Sequence, residues 1–416
     1  MTKISYLRKN MQAEYESGNI LASLEAGEAL ISEHRHIETA GTINFANDLF
    51  NLALVYDEAE KYDDAAAMYS ESAREIFVLE GETVDFAKRL SGFASSLSKM
   101  DMHEPAYFLH YQVCKIYEEK AGKESTLYSD SVFNFANAAV GIGHLKEAIN
   151  NHMFALSLRT IAAQHKDNDA VIESFLVVAK LHEKNDDLEK AVSFTKAALE
   201  LSDEKSEVYV SANYYLAEIY EADEEFEKSL DTLQKVLDLT YDQVGTNHSS
   251  YINTLIKMAL VKEKDEEYED ALYDMEEARK LFEDTVGKEQ TFYAFCCKKI
   301  AWLHSLLGNK EDARAEMLES IAIRKELGDI PMDDYLYDIQ IFVNLNSRDD
   351  ITASIIVALI NALKFKVDLD EVKEQIMDIF GDIDDDELVD NVYNDFLIFD
   401  DPESLDMFVS HILKES

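Results

Sequence analysis

Along this chain apolar positions return every three or four residues rather than every second one, in long stretches separated by short polar turns. That is the period of helices with one buried stripe, not of strands. Inside the stripes a small residue recurs at steps of about forty-two positions: Ala53, Ala94, Ala136, Ala179, Ala217, Ala259 and Ala301. Twelve positions beyond each stands a second one: Ala65, Ala106, Ala148, Ala191, Ser229, Ala271 and Ala313. Two antiparallel helices need a small side chain on each where their backbones come closest, and a short turn between them fixes the offset. A bulky apolar residue precedes each first small residue, among them Leu52, Phe93, Phe135 and Ile300. Acidic turns such as residues 265–270 and 308–312 lead into each second helix, where negative charge suits the first turn. The pattern therefore predicts seven helix pairs over residues 45–328.

Residues 1–44 read as a degenerate leading pair that caps the stack, with Met11 and Ser23 in the places of the paired small residues and a turn at 17–19. After Pro331 the signature stops. Residues 329–416 read as a separate acidic helical segment, with helices expected at 351–363, 368–380, 385–398 and 403–414. The first of these is apolar nearly all round and needs cover from neighbours or from another chain.

Residues 52–69, LALVYDEAEKYDDAAAMY, resemble a tetratricopeptide repeat, and the forty-two-residue period is similar to the kinesin light chain subtype of that family. The resemblance covers residues 45–328 and implies an all-α, right-handed α-solenoid of tetratricopeptide-like helix pairs. It also implies that the first helices line a concave face suited to binding a protein or peptide. It is specific for fold and says little about which partner is bound.

Charge narrows the partner. Eighty-four Asp and Glu against 39 Lys and Arg leave a formal charge of −45, which repels nucleic-acid phosphates and anionic lipid. No nucleic acid and no membrane are expected as partners. No stretch approaches the length of a membrane span and the first residues carry no signal-like apolar run. The three cysteines, Cys114, Cys296 and Cys297, lie in apolar helical stripes without redox or metal-ligand spacing. Together these point to a reducing, cytoplasmic compartment.

Chemistry-bearing motifs are absent: there is no phosphate-binding glycine loop, nucleophile elbow, HExxH or CxxC. His34 and His36, two apart, have poor geometry for sharing a metal on a helix. The acidic run at 382–387 lacks the glycine and the terminal glutamate of a calcium loop. The reading is of a protein that is not an enzyme and needs no cofactor or metal.

On each first helix, the stripe opposite the recurrent small residue should face away from the paired helix. It offers Asn47 and Phe50, then Phe133 and Asn137, Lys180, Tyr214 with Glu218 and Glu221, Asn253, and Trp302. Aromatic anchors supply contact area and amides can bond an extended backbone. Acids dominate the same stripe, with Asp57, Asp130, Glu173, Glu183, Glu218, Glu221 and Glu263 set against Lys88, Lys180 and Lys298. A partner with basic and apolar residues fits that balance, and the apolar C-terminal helices offer a route to homo-oligomers. The function expected is a protein- or peptide-binding scaffold or adaptor. The alternative is a peptide-responsive regulatory sensor whose superhelix changes shape on binding.

Overall fold

A computed structural model describes residues 2–37, 41–163, 168–285, 287 and 291–327. The acidic segment expected after residue 328, with its four helices, lies outside the described residues. Sixteen α-helices make up the described chain, and no strand occurs among the described residues. They are α1 (Lys3–Glu16), α2 (Ile20–His36), α3 (Ile43–Glu58), α4 (Tyr62–Glu80), α5 (Val84–Lys99), α6 (His103–Lys120), α7 (Thr126–Gly141) and α8 (Leu145–Ala163). They continue as α9 (Asp169–Lys184), α10 (Leu188–Leu201), α11 (Glu207–Ala222), α12 (Phe226–Val244), α13 (Ser249–Lys264), α14 (Tyr268–Thr285), α15 (Thr291–Leu306) and α16 (Lys310–Leu327). The chain falls into two compact units, residues 1–219 and Tyr220 onward. Within each unit the main helix–helix contacts run between neighbours in sequence, as in α1 with α2, α3 with α4, α7 with α8, α13 with α14 and α15 with α16. The fold is an all-α solenoid of tetratricopeptide-like pairs.

All fourteen recurrent small residues are fully buried, and Met11 and Ser23 in the leading pair are buried too. A side chain larger than Ala or Ser at these places would force the paired backbones apart. The helices start by one repeated device: Thr2, Thr42, Thr83, Ser125 and Ser206 accept the N–H of Ser5, Phe45, Phe86, Tyr128 and Tyr209 at 3.1–3.2 Å. From Thr42 onward these caps stand eleven residues before the recurrent alanine.

The first helices end by an equally regular device. Seven residues after the small position the backbone turns left-handed, with φ between 57° and 79° at Gly18, Glu60, Asp101, Gly143, Asp186, Glu224, Glu266 and Gly308. The next residue then donates to a carbonyl five positions back, as in Lys61 to Tyr56 at 2.9 Å, Asp187 to His182 at 2.9 Å and Asn309 to His304 at 2.8 Å. Five of these eight residues carry a Cβ that crowds the following carbonyl in this conformation. Replacing Glu60, Asp101, Asp186, Glu224 and Glu266 by glycine should each stabilise by about 0.5–1 kcal/mol, the strain removed being partly offset by glycine's larger unfolded-state entropy. Thermal midpoints of single and combined variants check this; additive rises are expected, and a fall would show that the carboxylates matter more than the strain.

Candidate functional site

The exposed stripe of the first helices resolves into rows with different fates. Six residues before the recurrent small residue stand Asn47, Asp130, Glu173, Ser211 and Asn253, all exposed. One residue after it stand Leu54, Asn137, Lys180 and Trp302, also exposed, with Trp302 at 40%. To one side of these rows lie two that are more deeply engaged in the fold.

The first of these, three residues before the small residue, sits at the seam between successive pairs. Phe133 is buried at 5%, its ring edge-on to His152 at 4.9 Å and covered by the Arg159 guanidinium 3.9 Å from the ring centroid. It is therefore a packing residue, not the exposed anchor that the stripe suggested. Phe50 is half-buried against Tyr69 at 5.6 Å, with Lys88 and Arg89 over its face at 5.1 and 5.2 Å. Tyr214 is also half-buried. A first helix touches the neighbouring pairs as well as its own partner, so the stripe turned away from that partner is not all open to solvent.

The second row, four residues after the small residue, forms a ladder between successive first helices. Asp57 accepts from Lys99 at 2.9 Å, and Glu183 from the Tyr215 hydroxyl at 2.6 Å. Burial and the adjacent carboxylate both raise the Tyr215 phenol above its ordinary range. In the second unit Glu263 accepts from Lys299 at 2.9 Å, and Glu221 meets Lys257 at 2.5 Å and Lys264 at 2.7 Å. Burial acts against the charge on Glu221, yet the two lysines hold its pKa below the ordinary carboxylate range. Glu221 is 9% exposed, so it serves the seam instead of presenting charge. Glu218 is half-buried beside Tyr215. Lys180 is exposed, with its ammonium 5.7 Å from the Tyr215 ring centroid.

Three buried charged nodes, invisible in the apolar pattern, tie helices together in the first unit. Asp48, 1% exposed, accepts two bonds from Arg8 at 2.6 Å and contacts His34 Nε2 at 2.8 Å, joining α1, α2 and α3. Arg89, 2% exposed, donates to Ser72 at 2.8 Å, to the Asp85 carbonyl at 2.9 Å and to Asn47 at 2.5 Å. Asn47 is thereby engaged within the fold. Arg159 reaches from α8 to Asp130 on α7 and to Glu173, Ser174 and the Ala170 carbonyl on α9, with bonds of 2.9–3.1 Å. Asp48, Arg89 and Ser174 share one position, five residues before the recurrent alanine, and that shared place is the signal that could have found them.

The acidic stripe is thus mostly consumed internally: Asp57, Asp130, Glu173, Glu183, Glu221 and Glu263 all pair with cations or hydroxyls of the fold. By contrast, Asn137 and Asn253 make no side-chain hydrogen bond among the described residues, and both are exposed. Cys297 lies close to Glu316 and Glu319, the one arrangement of potential metal ligands among the described residues. Arg279 pairs with Glu316 and approaches the same thiol, so a protein cation already fills that place. Burial pushes Cys296 and Cys297 up to about 12 and Cys114 up to about 11, leaving protonated thiols with little nucleophilic character. Among the described residues no helix is long and apolar enough to cross a membrane.

The tetratricopeptide repeat family profile matches residues 208–284 and again 250–326, two windows offset by 42 residues. Curated proteins yield no match. Among solved structures, the apo form of RapI is 14% identical, covers 84% of this chain and 95% of its own, and superposes with a TM-score of 0.58. The quorum sensor NprR from B. thuringiensis, in its apo form, is 13% identical over 77% of this chain and 86% of its own, with a TM-score of 0.48. Kinesin light chain repeats from Podosopora anserina are 16% identical over 48% of this chain and 95% of theirs, with a TM-score of 0.42.

Proposed function

We propose that this chain, a tetratricopeptide-repeat protein with the long period of kinesin light chain repeats, is a protein- or peptide-binding scaffold that captures its partner on the face lined by the first helices. The observation that carries the reading is the division of labour on those helices. One set of rows is committed to seams and ladders, while in the row after the recurrent alanine Leu54, Asn137, Lys180 and Trp302 are exposed and Ser95, Glu218 and Leu260 half-buried. A part-exposed indole and an unbonded amide suit a ligand, the first by area and the second by bonding a peptide backbone. The ordered scaffold beneath lowers the entropic cost of holding them in place.

Ligand preference follows from the same rows. Since most stripe acids are already paired, apolar and amide contacts carry more of the affinity than charge, and the remaining net acidity of the chain steers approach. Selection of a displayed random peptide library on the full chain tests this. Bound peptides should weaken at least about tenfold, or 1.4 kcal/mol, on a variant carrying Asn137→Arg and Trp302→Ala with an unchanged unfolding midpoint. Peptides that bind that variant as well as the parent would place the binding face elsewhere.

A further inference from the structure

A cavity lies where the first helix of the leading pair meets the first helix of the next pair. About 370 Å³ opens between α1 and α3. Its apolar surface comes from Met11 and Val55, both 3% exposed, and from Leu54 and Tyr15, 42% and 40% exposed. Met11 stands where each of the seven following pairs carries alanine. A thioether on an unbranched chain adapts its shape to what it meets.

Two of the polar groups around the cavity are uncommitted. The Asn51 amide and the Tyr15 hydroxyl make no hydrogen bond among the described residues. The Glu16 carboxylate accepts from Gln12 at 2.9 Å and has no cation within ion-pair distance among the described residues. Arg8, also on the lining, is held by both oxygens of Asp48 and so brings no free positive charge. Glu16 is the last residue of α1, and the last turns of α1 and α3 contain no base. Helix carbonyl ends are themselves partially negative. An apolar pocket of this size with a few converging polar groups is the form that ligand sites take, and its lower-end volume suits one side chain.

We infer that this cavity is an anchor site for a peptide bearing a bulky apolar side chain next to a cationic residue. The apolar side chain enters against Met11, Leu54 and Val55, the cation meets Glu16, and the peptide backbone bonds to Asn51. This rests on the reading of the chain as a peptide-binding scaffold, and adds to it a place and a ligand chemistry.

The probes are two capped tetrapeptides, acetyl-Gly-Leu-Lys-Gly-amide and its Leu-Glu counterpart, titrated into the full chain labelled with ¹³C at the methionine methyls. The Met11 signal is assigned by its loss in Met11→Leu. The Lys peptide should shift that signal saturably, the Glu peptide should bind at least fivefold more weakly, and Glu16→Lys should reverse the order. Leu54→Trp, which fills the cavity, should abolish both. Should that variant fail to fold, the charge reversal at the exposed helix end still decides. Equal binding of the two peptides, no reversal, or no Met11 shift up to the solubility limit would overturn the proposal. If library peptides still bind the full chain while Met11 stays silent, scaffold function stands and this site fails. If neither responds, both readings fall.

Discussion

Arg159→Ala should destabilise the first unit by about 3 kcal/mol, far more than its two charged partners lose when neutralised. The guanidinium is 8% exposed, but Asp130 and Glu173 are 53% and 56% exposed, so these carboxylates return to water at little cost once the arginine is gone. The loss comes from elsewhere. Ser174 and the Ala170 carbonyl lose a charged donor, the face of Phe133 loses its cover, and the aliphatic stem leaves a void between α7, α8 and α9. Asp130→Asn and Glu173→Gln should each cost under about 1 kcal/mol, the range for exposed pairs. Arg159→Lys keeps charge and stem but not the planar fork, and should recover less than half of the loss. Urea unfolding followed by far-ultraviolet circular dichroism measures all four; a lysine variant equal to the parent would show that the fork is not what holds the seam.

The repeat register was legible because it depends on features that alternate with helical period. A small residue at a close contact leaves the same trace wherever it occurs, and Ala53 through Ala313 were placed by that trace alone. The left-handed turn was harder to see, because only Gly18, Gly143 and Gly308 advertise it and Glu or Asp stands at the other five places. The exposed row was partly legible: Asn137 and Trp302 lie where the stripe put them. Phe133 and Glu221 did not, and for one reason. Helical periodicity reports which face meets the paired helix, whereas their burial is set by the neighbouring pair across the seam, a contact between residues far apart in sequence. Arg89 and Arg159 were missed for a related reason. A buried arginine looks like a surface residue until its partners, here from two other helices each, are brought together.

Acid should unfold the first unit earlier than its carboxylates alone would dictate, and the cause should be two histidines. His110 and His152 occupy the same place in α6 and α8, four residues after the recurrent alanine, and are 3% and 0% exposed. His110 Nδ1 and both ring nitrogens of His152 find no partner among the described residues. Burial lowers each pKa to about 4, with the Arg159 charge adding to the effect on His152. The unfolded chain takes up these two protons near the ordinary pKa of 6.5, while the folded chain resists until about 4. Between those values the unfolded state binds more protons, so stability is complete above pH 6.5 and falls as pH falls through the window. Each histidine should account for about 3 kcal/mol once the pH is below 4, of which about 2 kcal/mol is already lost at pH 5. The equivalent places in α14 and α16 hold fully buried Met275 and Met317, so the fold accepts methionine there. His110→Met with His152→Met should therefore match or exceed the parent at pH 7.5, because two orphaned polar rings leave the core. It should also lose much less stability than the parent between pH 6.5 and 5, a range above most carboxylate titration. Urea midpoints at pH 7.5, 6 and 5 give the comparison, and parallel acid losses in the two proteins would assign the sensitivity to other groups.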